Sequence, residues 1–293
     1  MNALPLELHS QIFEFACTDD GKTARSLALV SRYVHDVSVP YRYQSLSISG
    51  LKQMKKLVTR LNVTPHHLRR IRHLFLSDWT HDRTKERVVA TSDEARDTYE
   101  LESTIALRII TLAAPTVETL AVVVASPFSG PSLLGSLFST PMPQLTDLAV
   151  HGFYPFPHAP RSMPRLEHLH LSGNRSPHGL LHFGMLKAAC PALIHLRLSG
   201  LFASASFAEE LRSAILSAHD DTAAQSDPFR ASLPQQLRTI VVEAREMHVP
   251  GARKHGIPRG LRLMHEKMLV SLRELERRAD PLLARRFCHR EQK

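Results

Sequence analysis

One spacing of apolar residues returns along this chain, and it limits the possible folds more than any other feature. The pattern is Leu-x-x-Leu-x-Leu, with Ile or Val admitted. It reads Ile71-x-x-Leu74-x-Leu76, Val117-x-x-Leu120-x-Val122 and Leu145-x-x-Leu148-x-Val150, and continues as Leu166-x-x-Leu169-x-Leu171, Leu193-x-x-Leu196-x-Leu198 and Leu237-x-x-Ile240-x-Val242. Tyr43-x-x-Leu46-x-Ile48 extends the series towards the N-terminus, and successive starts lie 28, 46, 28, 21, 27 and 44 residues apart. The last two apolar positions of each run are two residues apart, so on a strand they point to the same face. If successive runs pair in parallel, those side chains stack into a buried ladder, each contributing about 1.5–3 kcal/mol when fully buried. The flanking residues then point the other way. Just before the middle apolar position they are His73, Thr119, Asp147, His168, His195 and Thr239; just after it they are Phe75, Ala121, Ala149, His170, Arg197 and Val241.

Helical stripes fall between the runs: Leu51, Met54, Leu57 and Leu61; Leu101, Ile105, Ile109 and Leu112; Phe183, Leu186 and Ala189; Phe207, Leu211, Ile215 and Leu216. Strand–helix alternation at these periods predicts an α/β solenoid of irregular leucine-rich repeats, with strands on the concave face and helices outside. The same six runs would also serve as ordinary strands of an α/β domain. Trp79–Ser92, His151–Ser162 and Asp220–Ser232 read as loops, the last of them acidic, polar and expected to be disordered. Residues 250–260 read as a basic linker, and Leu261, Met264, Met268, Leu272 and Leu275 predict a helix over 260–279 that covers an open end of the repeats.

The N-terminal segment has a different pattern. Leu4, Leu8, Ile12 and Phe15 recur at helical spacing and share one face. Pro5 stands near the helix start, where a missing N–H costs nothing. Gly21 ends this element, Thr23 is the expected N-cap of the next, and Leu27, Val30 and Val34 form a second stripe. A segment of about forty residues cannot bury a full core alone. It must lean either on the rest of the chain, as an ordinary helical hairpin, or on a partner.

Leu4-Pro5-Leu6-Glu7-Leu8, Val30-Ser31-Arg32 and Tyr41-Arg42 ahead of a strand resemble the F-box, the helical module that docks onto the adaptor subunit of SCF-type ubiquitin ligases. Ala114-Pro115-Thr116-Val117-Glu118-Thr119-Leu120 and Cys190-Pro191-Ala192-Leu193 are similar to the irregular repeats of fungal F-box proteins. The resemblance implies an F-box-like module over 1–46, a degenerate leucine-rich-repeat solenoid over 47–249, and a basic linker with a helical cap over 250–293. It implies a substrate-recognition subunit that binds the adaptor, and through it a cullin, while the solenoid holds a protein substrate. Leu4, Pro5, Leu8, Ile12, Phe13 and Val30 would contact the adaptor. A ligase-independent, repeat-type interaction scaffold is the alternative.

The outward rows supply the candidate substrate surface. Asp147, His168 and His195 would form one row, with His170 and Arg197 beside it and His151 at a strand end. A flat row rarely converges on one metal ion. Arg197 can pair with a carboxylate or phosphate, so the patch suits an acidic or phosphorylated protein segment. No metal, cofactor or nucleic acid is expected there.

Catalytic motifs are missing. Gly21-Lys22-Thr23 mimics the end of a phosphate-binding loop, but Ala16 stands where the first glycine is required and no strand precedes it. His-Glu-x-x-His, Gly-x-Ser-x-Gly and Cys-x-x-Cys are not found, and the chain is not expected to be an enzyme. Apolar residues make up 43% of it, ordinary for a folded protein, and no run approaches a membrane span. Glu7 and Glu14 interrupt the N-terminal apolar stretch, which does not read as a secretory signal. Cys17, Cys190 and Cys288 are too scattered for a disulfide framework or zinc site, which suits the cytoplasm or nucleus. The net charge of +9 is concentrated in residues 251–293, which hold 12 Lys/Arg against 5 Asp/Glu. It is therefore a property of the tail.

Overall fold

Each of the six runs forms a strand, because its alternating residues divide cleanly between a buried and an open face. The computed structural model describes residues 4–79, 93–125, 130–155, 159–217, 231–245, 258–282 and 286–292. The chain divides into two compact units, Met1–Leu145 and Thr146–Lys293.

In the first unit α1 (Leu6–Ala16), α2 (Lys22–Leu27) and α3 (Arg32–Ser38) precede β1 (Ser45–Ser49). Then come α4 (Gly50–Val63), β2 (His73–Ser77), α5 (Asp93–Ala113), β3 (Thr119–Val123) and α6 (Gly130–Ser139). Strands β1, β2 and β3 pair in parallel in sequence order, with Leu46, Leu74 and Leu120 in register. Gly21, in the left-handed region at φ 73°, occupies the cap position of α2, and Asp19 accepts hydrogen bonds from the Thr23 amide and hydroxyl. Thr23 is thus a donor inside the first turn, not the cap. Ser31 caps α3 by accepting from the Val34 amide. Met54, Leu57 and Leu61 bury the α4 stripe as expected. In α5 the buried face is Glu102, Ala106, Ile109, Ile110 and Ala113, and Leu101 is exposed. The predicted stripe is therefore rotated by about one position, small Ala residues allowing the closer approach.

In the second unit β4 (Asp147–His151), β5 (His168–Ser172), β6 (His195–Leu201), β7 (Thr239–Arg245) and β8 (Arg286–Gln292) also pair in parallel and in sequence order. Helices α7 (Met185–Ala189), α8 (Ala205–Ser217) and α9 (Arg259–Leu282) lie between strands in the chain. Leu169, Leu196 and Ile240 are in register, as are Leu171, Leu198 and Val242, and all six are buried. Leu186 and Ala189 of α7 and Phe207, Leu211 and Ile215 of α8 are buried, while Phe183 is exposed in a left-handed kink before α7. Helix α9 packs on α8 through Met268, Leu272 and Leu275. His265 accepts a hydrogen bond from the Ala203 amide, and the Met268 sulfur accepts one from the Ser204 amide. Leu261 and Met264 of the expected stripe remain exposed. Strand β8 is absent from the sequence expectation. The expected disordered loop at Asp220–Ser232 and the linker at 250–260 lie largely outside the described residues.

The predicted architecture, a small helical module followed by an irregular leucine-rich-repeat solenoid, is corrected. Strands and helices alternate in an α/β arrangement whose described strand pairs are all parallel, and the recurrent runs are ordinary strands of that arrangement. Nor do the first helices stand apart from the strands. The Gln44 side-chain amide donates to the Glu14 carbonyl, and the Ser45 hydroxyl to the Thr18 carbonyl. Arg72 pairs with both Glu14, at 2.5 Å, and Glu118, at 2.7 Å. These bonds tie α1 directly to the β1–β3 layer.

Candidate functional site

Two surfaces carry the residues singled out by sequence. The first is the open side of the N-terminal helices. Phe13, Cys17, Ala24, Val34 and Tyr41 form a small core, with Leu27 and Val37 packed against it. That arrangement turns the Leu4–Leu8–Ile12–Phe15 face outward, where the four are 49%, 43%, 50% and 82% exposed. Pro5 and Val30 are exposed too, and Phe13, at 7%, belongs to the core. Phe13 is assigned to docking from its match to the F-box pattern, and the structure places it in the core instead. Sequence reasoning missed Leu6, Leu29 and Tyr33, which are also exposed. Leu29 precedes Val30 in the turn after α2, so no helical period marked it.

The second surface is the open face of β4–β7, where three outward rows run across the strands. In the first, the His168 Nδ1 lies 3.0 Å from Asp147, and the His168 and His195 rings stack at 4.8 Å, 2° from parallel. Asp147 also accepts from the Thr146 hydroxyl. The second row pairs His170 with Arg197, and the third, one strand period further on, reads His151, Ser172, Ser199 and Glu243. Of the third row only His151 was singled out by sequence, because Glu243 lies three residues beyond Ile240, past the end of the recognised motif. Counting one more alternation would have found it.

Glu243 organises this part of the face. Its side chain is 5% exposed, accepts from Arg197 Nη2 at 2.7 Å and from the Ser199 hydroxyl at 2.8 Å. The His170 Nε2 lies 2.8 Å from the same hydroxyl. A serine hydroxyl has one proton, and here it goes to the carboxylate. His170 must then donate from Nε2, so it cannot take the serine proton as a general base. The chain of bonds positions Arg197; it does not activate Ser199. Burial first, and then the Arg197 charge, holds His170 below the ordinary imidazole value; His151 acts in the same sense and Glu243 opposes it.

A recess of about 500 Å³ opens beside this network, lined by His151, His170, Arg175, Arg197, Glu243 and Arg245 among others. The sequence-predicted His170 and Arg197 lie in it; Asp147, His168 and His195 form the neighbouring row outside its lining. Arg245, the last residue of β7, stands one alternation beyond Glu243, whereas Arg175 lies past the end of β5 and carried no periodic signal. Among the described residues no group of three His, Cys, Asp or Glu side chains could hold a metal ion, and no helix is long and apolar enough to cross a membrane. Neither a protein-family model nor a curated protein matches the chain.

Proposed function

We propose that the chain is a substrate-recognition subunit of an SCF-type ubiquitin ligase, docking the adaptor through its N-terminal helices and holding a target protein on the open face of β4–β7. The observation that carries this reading is the direction of the α1 stripe. A hairpin serving only to pack on its own domain would bury Leu4, Leu8, Ile12 and Phe15, yet these are solvent-facing while Phe13 and Cys17 hold the helix in place. A contiguous apolar face of this kind is typical of a surface completed by a partner. Its occupant is the ligase adaptor, given the Leu4-Pro5-Leu6-Glu7-Leu8 and Val30-Ser31-Arg32 sequences around it. On this reading the chain makes and breaks no bond itself and works in the cytoplasm or nucleus, where the free thiols Cys17 and Cys190 stay reduced.

The test is direct binding of the purified adaptor to the full chain and to Leu8→Asp/Ile12→Asp. Both positions are exposed, so the melting temperature should hold while adaptor binding falls at least about a hundredfold, the loss expected for charges placed in an apolar contact. Wild-type chain that ignores the adaptor would overturn the reading, and recovery of other cellular proteins by that chain would point to the ligase-independent scaffold.

A further inference from the structure

We infer that the recess at the carboxyl ends of β4–β7 is an anion site that takes a phosphoryl group. These strands pair in plain sequence order and have no switch point of the kind that places ligands in doubly wound sheets, so the recess is judged by its lining alone. Here His151 ends β4, Ser172 ends β5, Ser199 and Gly200 lie near the end of β6, and Arg245 ends β7. All of these line the recess, in company with Arg175 from just beyond β5.

The charge in the recess is one-sided. Three guanidinium groups face one carboxylate, and that carboxylate is already engaged by Arg197 and Ser199. Among the described residues neither Arg175 nor Arg245 has a carboxylate within ion-pair distance. Anchored through Nη2 to a buried group, Arg197 is preorganised, so less side-chain freedom is lost when its remaining donors engage an anion. A phosphate monoester offers three acceptor oxygens and close to two negative charges at neutral pH, which matches a recess lined by three guanidinium groups better than a single carboxylate does. The backbone leaves room for it. Gly200 has a φ of 82°, and a Cβ there would meet nothing within 4 Å, so the recess wall is open at that point. Gly173, at φ 92°, passes so close to Gly152 that a Cβ would lie 2.6 Å from the Gly152 amide nitrogen. A volume of about 500 Å³ exceeds what a bare phosphate fills and lies in the range of small-ligand pockets.

The inference stands apart from adaptor docking, since the recess lies within residues 146–293 and the docking face within residues 4–33. Calorimetry on the full chain should show saturable binding of inorganic phosphate that persists when chloride is raised to match ionic strength. Binding of a phosphoserine hexapeptide should exceed that of its unphosphorylated twin. Arg175→Ala and Arg245→Ala, both at exposed positions, should each weaken binding about tenfold with the melting temperature kept. Arg197→Lys serves as a third variant that keeps the charge and loses the planar fork. Tighter binding of the phosphopeptide than of phosphate assigns the recess to a target segment, and the reverse assigns it to a free phosphate compound; in both cases the phosphoryl group is what is read. Phosphate and phosphopeptide binding no stronger than chloride, or binding unchanged in the Arg175→Ala/Arg245→Ala double variant, would overturn the inference.

Discussion

Replacing Arg197 by Ala takes a charged partner from a buried carboxylate, and the size of the effect follows from the asymmetry of the pair. Glu243 is 5% exposed and Arg197 49% exposed. Leaving a buried charge unpaired generally costs about 3–5 kcal/mol. Two features reduce that figure: the Ser199 hydroxyl still donates to Glu243, and the half-exposed guanidinium contributes a solvent-screened attraction. The expected loss is about 2 kcal/mol. Glu243→Gln keeps the shape and one acceptor and leaves Arg197 free to hydrate, so it should cost only about 0.5–1 kcal/mol. Removing Arg197 in the Glu243→Gln background leaves no buried charge behind, and the double variant should be about 1 kcal/mol less destabilised than the sum of the single ones. Urea unfolding of the four proteins, read as shifts in midpoint at constant slope, completes the cycle. A single-variant cost for Arg197→Ala no larger than that for Glu243→Gln, or strict additivity, would refute the view that Glu243 is the buried anchor of the face.

Three further outcomes are expected. Because His170 is held below the ordinary imidazole value by burial, then by Arg197 and His151 against Glu243, the unfolded chain binds its proton more readily than the folded one. Its stabilising contribution is therefore complete above about pH 6.5 and is lost as pH falls through the lowered folded value, so His170→Gln should flatten the acid side of the stability profile. Burial pushes the Cys190 thiol up to about 12 and raises that of Cys17; both should resist iodoacetamide at pH 8 in the native chain and react in urea, as mapped by mass spectrometry. Leu272→Ala, at a position with no solvent exposure in α9, should lower stability by about 2–5 kcal/mol, and an unchanged melting temperature would mean that α9 does not cover α8.

Strands β1–β7 were legible in the sequence, β8 and the architecture were not, and the difference is physical. Side-chain alternation fixes which residues of a strand are buried, and parallel pairing of like runs then fixes the register, so Leu169, Leu196 and Ile240 fall opposite one another as their spacing predicts. Nothing in that local rule separates a stack of repeats from an ordinary α/β sheet, because both bury the same positions. Polar ties such as Gln44 to Glu14 and Arg72 to Glu118 join residues 30 and 46 positions apart and have no period from which they could be read. The N-terminal helix shows the same limit from the other side. Spacing correctly grouped Leu4, Leu8, Ile12 and Phe15 on one face, but a stripe has no sign, and burial of Phe13 and Cys17 is what turns it outward. The recess combines both limits. His170 and Arg197 were visible as alternating neighbours, and Arg245 continues the β7 alternation past the recognised motif, whereas Arg175 enters from beyond the end of β5, where periodicity stops. A binding surface at the ends of parallel strands is thus the part of such a fold that its repeat pattern predicts least.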